Sequence, residues 1–139
     1  MLYANSLCYV DQMDKALAIM QEVCERNPFG HDWFWDVYCI ALVAAGKCQE
    51  SLGMFDRIAI WGPWTYIYAA IAHIGVDDIG SARTMVDACR REFPKMSPEE
   101  YLRAEPYIDQ AKTDHLMAAG SQGDALANRF RNVFGLLVG

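Results

Sequence analysis

Apolar positions recur with the period of an α-helix in three segments of equal length, residues 11–28, 46–63 and 77–94. In each, a small residue is followed by apolar residues four and seven positions later and by a proline after twelve. Offsets of 0, 4 and 7 lie on one helix face, and proline cannot continue a helix. The pattern predicts three helices that each end near a proline. Its positions are Ala16, Met20, Val23 and Pro28, then Ser51, Phe55, Ile58 and Pro63, then Ala82, Val86, Cys89 and Pro94.

Another apolar helical segment precedes each of these helices. The preceding segments cover residues 2–9, about 32–45 and about 64–75. Short connections between consecutive helices favour hairpins, and the small residues let the two helices approach closely. We therefore expect an all-α chain with three helical hairpins within residues 1–94, the first of them truncated.

The hairpins carry the positions of a known helical repeat. The tetratricopeptide pattern runs W-x2-L-G-x2-Y, then A-x3-F, then P. Its glycine position is filled here by the small residues Ala4, Cys39 and Ala70, and the A-x3-F and proline positions match the three segments above. The chain resembles a tetratricopeptide-repeat module. The resemblance implies a TPR-like, right-handed solenoid of about three hairpins, followed by C-terminal helices.

Three stretches carry a more specific resemblance. They read "RNPFGHDWFWDVYCIALVAAGKCQES", "GPWTYIYAAIAHIGVDD" and "EPYIDQAKTDHLMAA". Together they look like the C-terminal repeat module of bacterial class III adenylate/guanylate cyclases and related multidomain regulators. The resemblance implies a regulatory segment of a larger signalling protein. The catalytic domain of such cyclases has no counterpart in these residues, so no catalytic residue is carried over.

The repeat geometry divides the aromatic stretch "DWFWDVYCIALV" between two faces. Trp35, Tyr38 and Leu42 occupy positions that pack inside a hairpin. The resemblance implies that the other face lines a concave groove, which we expect to bind an apolar or amphipathic peptide segment or a sister domain of the parent protein. Two alternatives remain: a regulatory fragment of an adenylate/guanylate cyclase, and a small-ligand sensor that uses this aromatic groove. The candidate groove residues are Tyr9, Trp33, Asp36, Ile40, Val43, Trp64, Ile67 and Ile71.

The C-terminal part is expected to contain capping helices in residues 95–120 and an amphipathic tail helix in residues 121–139. Ser97 and Pro98 are suited to the start of the first capping helix. The tail is atypical for the family that the chain resembles. It is expected to pack on the final helices, to enter the groove, or to pair with the tail of a second chain and form a homodimer. Its apolar stripe consists of Leu126, Phe130, Val133, Phe134 and Leu137.

Charge and composition narrow the partner classes. The net charge of −6 argues against nucleic acid, whose binding requires clustered Lys and Arg. No run of 18 apolar residues occurs, and the first residues lack the basic region and cleavage site of a signal peptide. We therefore expect a cytoplasmic protein with no membrane span.

The chemistry-bearing residues do not form a catalytic pattern. The five cysteines include no CxxC pair, which favours reduced thiols over a metal site. No histidine has a nucleophile or carboxylate at a catalytic spacing, and no glycine-rich phosphate loop occurs. The sequence thus predicts a non-catalytic module for protein–protein interaction or scaffolding, without cofactor or metal.

Overall fold

The computed structural model describes residues 12–98, 100–101, 129 and 132–134, and over these residues it contains helices and turns and no strand. The all-α prediction is therefore confirmed for this part of the chain. The helices are α1 (Met13–Arg26), α2 (Asp32–Ala44), α3 (Cys48–Leu52), α4 (Pro63–Gly75) and α5 (Ile79–Glu92), with a 3-10 turn at Phe55–Arg57.

The chain divides into two compact units, Met1–Trp61 and Gly62–Gly139. In the first unit, α2 is the central helix, since it packs against α1, α3 and the 3-10 turn. In the second unit, α4 and α5 pack against each other. Both units are thus built from neighbouring helices joined by short connections.

Small residues lie at the helix contacts, as the spacing predicts. Ala16, Ser51 and Ala82 have no exposed surface, and the apolar residues four positions later are buried as well. Ser51 lies close enough to α2 for its Oγ to donate a hydrogen bond to the Cys39 carbonyl oxygen at 3.0 Å. The Cys39 Sγ lies 4.0 Å from the Ser51 carbonyl oxygen in return. A larger side chain at either position would separate the two backbones.

The second repeat segment departs from the prediction of one continuous helix over residues 46–63. Helix α3 ends at Leu52, and glycine at position 53 disfavours its continuation. The chain then forms the 3-10 turn and becomes extended at Ile58, where ψ is 113°. Pro63 consequently stands in the first turn of α4, where its fixed φ and missing N–H are tolerated. The other two helices of the pattern do end two residues before their prolines.

Among the described residues of the second unit, an apolar core lies between α4 and α5. Its buried members are Ile67, Ala70, Ile74, Ala82, Val86, Cys89, Val133 and Phe134. The Cys89 Sγ lies 3.8 Å from the Pro63 carbonyl oxygen, and the Tyr66 hydroxyl donates to Glu92 Oε1 at 2.8 Å. These contacts join the start of α4 to the end of α5, so the two helices run antiparallel.

The connection between α4 and α5 is tight and polar. Asp77 adopts a left-handed conformation with φ of 64°, which aspartate tolerates better than most residues. Asp78 caps α5, because its Oδ1 accepts a hydrogen bond from the Ser81 N–H at 3.1 Å. Its Oδ2 lies 3.6 Å from His73 Nδ1. Hydrogen bonds from Ser81, and then the nearby His73, hold the pKa of the Asp78 carboxyl below its usual value.

The residues after α5 begin the predicted capping region. Met96 and Tyr101 are partly buried and pack against the core of the second unit. The Ser97 Oγ accepts a hydrogen bond from the Glu100 N–H at 3.3 Å, so the predicted cap at Ser97 is present. Residues 102–120, on which the remainder of that prediction falls, lie outside the described residues.

Replacing Ala82 with Phe is expected to lower the free energy of unfolding by about 1–3 kcal/mol, because no space exists for the larger side chain at the α4–α5 contact. Urea unfolding followed by circular dichroism measures this. The control is Thr84→Phe, which adds the same ring at an exposed position of α5. Equal stability of the two variants would contradict the packing role of Ala82.

The Asp78 cap is expected to contribute stability that depends on pH. The folded state lowers the pKa of this carboxyl, so its contribution is full above the unfolded pKa of roughly 4 and is lost as the pH falls through the folded value. The melting temperatures of the wild type and Asp78→Asn should therefore differ at pH 7 and converge as the pH falls below about 4. A difference that stays constant over this range would show that ionised Asp78 is not favoured by folding.

Candidate protein-binding surface

Three exposed apolar side chains occur around the N-terminal end of α2. Phe29 is 100% exposed, Ile60 80% and Trp33 42%. Isolated exposed apolar residues are common, but large ones gathered at one place typically mark an interaction site. We call Phe29, Trp33 and Ile60 the α2 patch.

Hydrogen bonds and close packing fix the segments that carry the α2 patch. Asp32 Oδ2 accepts a hydrogen bond from the Ile60 N–H at 2.8 Å, which holds the 58–61 segment against the first turn of α2. The Gly30 N–H donates to the Asn27 carbonyl oxygen at 2.8 Å and closes the turn that carries Phe29. A Cβ at position 30 would lie 2.9 Å from that oxygen, so the turn requires glycine.

Aromatic side chains pack against the two segments that carry the α2 patch. The Trp33 ring meets the Phe34 ring edge-on, with centroids 4.5 Å apart. Trp61 packs against the buried Phe55 at 5.6 Å, and its Nε1 donates to the Ile58 carbonyl oxygen at 3.1 Å. The Arg57 guanidinium lies over the Trp35 ring at 5.4 Å. The segment that carries Ile60 is thus anchored on both sides of that residue.

The predicted groove is only partly exposed. Trp33 and Trp64 are each 42% exposed, and Ile40 and Ile71 are half-buried. Tyr9 lies outside the described residues. A single groove that includes residues of both units stays a prediction.

Three groove assignments are wrong, because Asp36, Val43 and Ile67 are buried. Ile67 belongs to the α4–α5 core and has no exposed surface. Asp36 and Val43 lie on α2, which is covered by α1, α3 and the 3-10 turn, so little of its circumference is left exposed. The repeat pattern assigns these positions to the groove face of the helix. It contains no information on how many other elements pack against that helix.

Two residues of the predicted tail stripe lie in the core of the second unit. Phe134 is 1% exposed and Val133 is 5% exposed. Both side chains pack with residues of α4 and α5, whereas the three alternatives for the whole tail stay predictions. Leu126, Phe130 and Leu137 lie outside the described residues.

The described cysteines are free and mostly buried, which determines their chemistry. Burial, and then the nearby Glu25, raises the pKa of Cys24 to about 11. Burial, and then Asp36, raises the pKa of Cys39 to about 12. Both are therefore thiols at neutral pH, and a thiol is a poor nucleophile and a poor metal ligand. Across the described part of the chain, no three His, Cys, Asp or Glu side chains are grouped as metal ligands would be.

None of the helices described here has the length and apolar character needed to cross a bilayer. Comparison of the chain with protein-family models, with curated proteins and with solved structures finds no match. The fold and the exposed surface described above are therefore the basis for assigning a function.

Cys24 and Cys39 are expected to react with iodoacetamide at pH 8 far more slowly in the folded protein than in urea, because burial suppresses the thiolate. Peptide mapping by mass spectrometry assigns the modified sites. Rapid labelling of Cys39 in the folded protein would contradict its burial between α2 and α3.

Proposed function

We propose that this chain is a non-catalytic interaction module that binds an apolar or amphipathic segment of a protein through the α2 patch. The observation that carries the proposal is that Phe29, Trp33 and Ile60 are exposed at the N-terminal end of α2. The rest of this helix packs against α1, α3 and the 3-10 turn. Burying such side chains against a partner is favourable by roughly 25 cal/mol per Å2 of apolar area. An exposed tryptophan is also the residue type that most often dominates an interface.

The rigidity of the α2 patch supports this proposal. Side chains and loops that are already ordered lose little conformational entropy when they bind. The Asp32–Ile60 hydrogen bond orders one patch segment, and the Asn27–Gly30 turn orders the other. The net charge of −6 favours partner segments in which basic residues flank the apolar ones.

We further propose, on the resemblance of the repeat positions to cyclase-associated modules, that the chain is a regulatory segment of a larger cytoplasmic signalling protein. The natural partner is then another protein or a sister domain of the same parent. Cyclase catalysis by these residues is not part of the proposal, because no residue here matches a catalytic position of such enzymes.

Peptide-display selection on the full chain, followed by affinity measurement, tests the α2 patch. Selected peptides should be apolar or amphipathic, and Trp33→Ala should weaken their binding at least about tenfold, the effect expected for a central aromatic anchor. The loss should occur with little change in melting temperature, since Trp33 is exposed.

Trp64→Ala is the matched control, because Trp64 has the same exposed fraction but belongs to the other unit. Equal weakening by both variants would contradict the assignment of binding to the α2 patch. Full binding by both variants would contradict that assignment too, together with the predicted groove role of Trp64.

A further inference from the structure

The second unit contains a segment that is distant in sequence from α4 and α5. Val133 and Phe134 complete the core to which α4 and α5 contribute Ile67, Ala82 and Val86. Residues 102–128 separate this segment from Tyr101, the last described residue of the preceding helical turn. The segment therefore packs against the α4–α5 hairpin although a long stretch of sequence separates the two.

An ion pair accompanies the apolar contact of the segment with the hairpin. The Arg129 Nε lies 3.1 Å from Asp77 Oδ1 in the connection between α4 and α5. Arg129 and Val133 are both helical, stand four positions apart in the sequence and both contact the hairpin. The contact thus has an apolar part and a charged part at a defined separation.

Asp77 is the residue of the hairpin that contacts Arg129. Its φ of 64° lies in the left-handed region, which aspartate adopts more readily than most residues other than glycine. Its carboxylate lies 3.1 Å from the Arg129 Nε.

The hairpin has contacts of its own that do not involve the segment. Tyr66 and Glu92 join its open end, and Asp78 caps α5 at its closed end. The helices also pack directly against each other, with Ala70 and Ala82 buried in their shared core. The hairpin is therefore expected to persist when the segment leaves, and its apolar face is then available.

We propose that this face of the α4–α5 hairpin is a binding site for a partner helix, and that Arg129, Val133 and Phe134 occupy it as an intrachain competitor. We expect the partner helix to carry two adjacent apolar residues about one turn after an arginine. Arg129, Val133 and Phe134 have this spacing. A covalently attached competitor acts at a high effective concentration. The site is thus closed until a partner displaces the segment. This inference goes beyond the proposed function, because the α2 patch belongs to the other unit.

A fluorescently labelled peptide of residues 124–139 probes the site, with binding to the full chain followed by anisotropy. Binding to the wild type should be weak, since its own segment competes. Phe134→Asp in the chain should strengthen peptide binding at least about tenfold, because it removes the competitor and leaves the face intact. Circular dichroism and melting confirm that α4 and α5 remain folded.

Arg129→Glu in the chain is a second variant that does not alter the core. It should strengthen peptide binding by a smaller factor, because it opposes only the contact with Asp77. Arg83→Glu makes the same charge change at an exposed position of α5 and should leave binding unchanged. A peptide that itself carries Arg129→Glu should bind the Phe134→Asp chain several-fold more weakly than the unmodified peptide.

Equal peptide affinity of the wild type, Phe134→Asp and Arg129→Glu chains would overturn the inference. A concentration-dependent dimer of the wild type, abolished by Phe134→Asp, would assign the face to a second copy and overturn it too. Trp33→Ala should not affect binding of this peptide. The tail-peptide experiment can therefore fail without contradicting the proposed function of the α2 patch, and the reverse also holds.

Discussion

Close approach of helices at small side chains is the constraint on which both units depend. In the first unit, Ser51 and Cys39 are both fully buried, and each lies against the backbone of the other's helix. In the second, Ala70 and Ala82 are fully buried in one core. Short helices have little stability alone in water, so most of it comes from such tertiary contacts. Once the backbones are this close, Met20, Phe55 and Val86 are necessarily enclosed, which explains why the positions four residues after the small ones are buried.

The enclosure of α2 has a consequence for function. A helix that is packed on several sides leaves only its ends and the adjoining loops for a partner. The α2 patch accordingly consists of one residue in the first turn of α2 and two in flanking segments. Asp32 connects these features, because its carboxylate accepts the Ile60 N–H while its own position begins the helix. Loops held in this way on a packed scaffold are common places for recognition.

Much of the helical core was predictable from the sequence, because its signal is local. The offsets that mark Ala16, Ser51 and Ala82 reflect helix geometry, and all three residues are buried. The break after Leu52 was also visible in the sequence as Gly53, but the repeat spacing favoured a continuous helix. The burial of Ile67 and the contact of Arg129 with Asp77 depend on which segments meet in space, which periodicity does not specify. Phe29 and Ile60 belong to non-helical segments, and helical periodicity carries no information about such positions.

The two candidate surfaces differ in whether their apolar side chains are exposed to solvent or covered by another segment of the chain. The α2 patch leaves a few large side chains exposed on ordered loops, a modest area that a folded protein tolerates. The α4–α5 hairpin has a continuous apolar core, and leaving one side of it exposed would invite nonspecific association. Val133 and Phe134 cover that side, while the ion pair between Arg129 and Asp77 adds a charged contact that a nonspecific apolar segment would not reproduce. Under the proposed function, the chain would leave the α2 patch accessible and keep the α4–α5 face covered until a helix of matching chemistry displaces the segment.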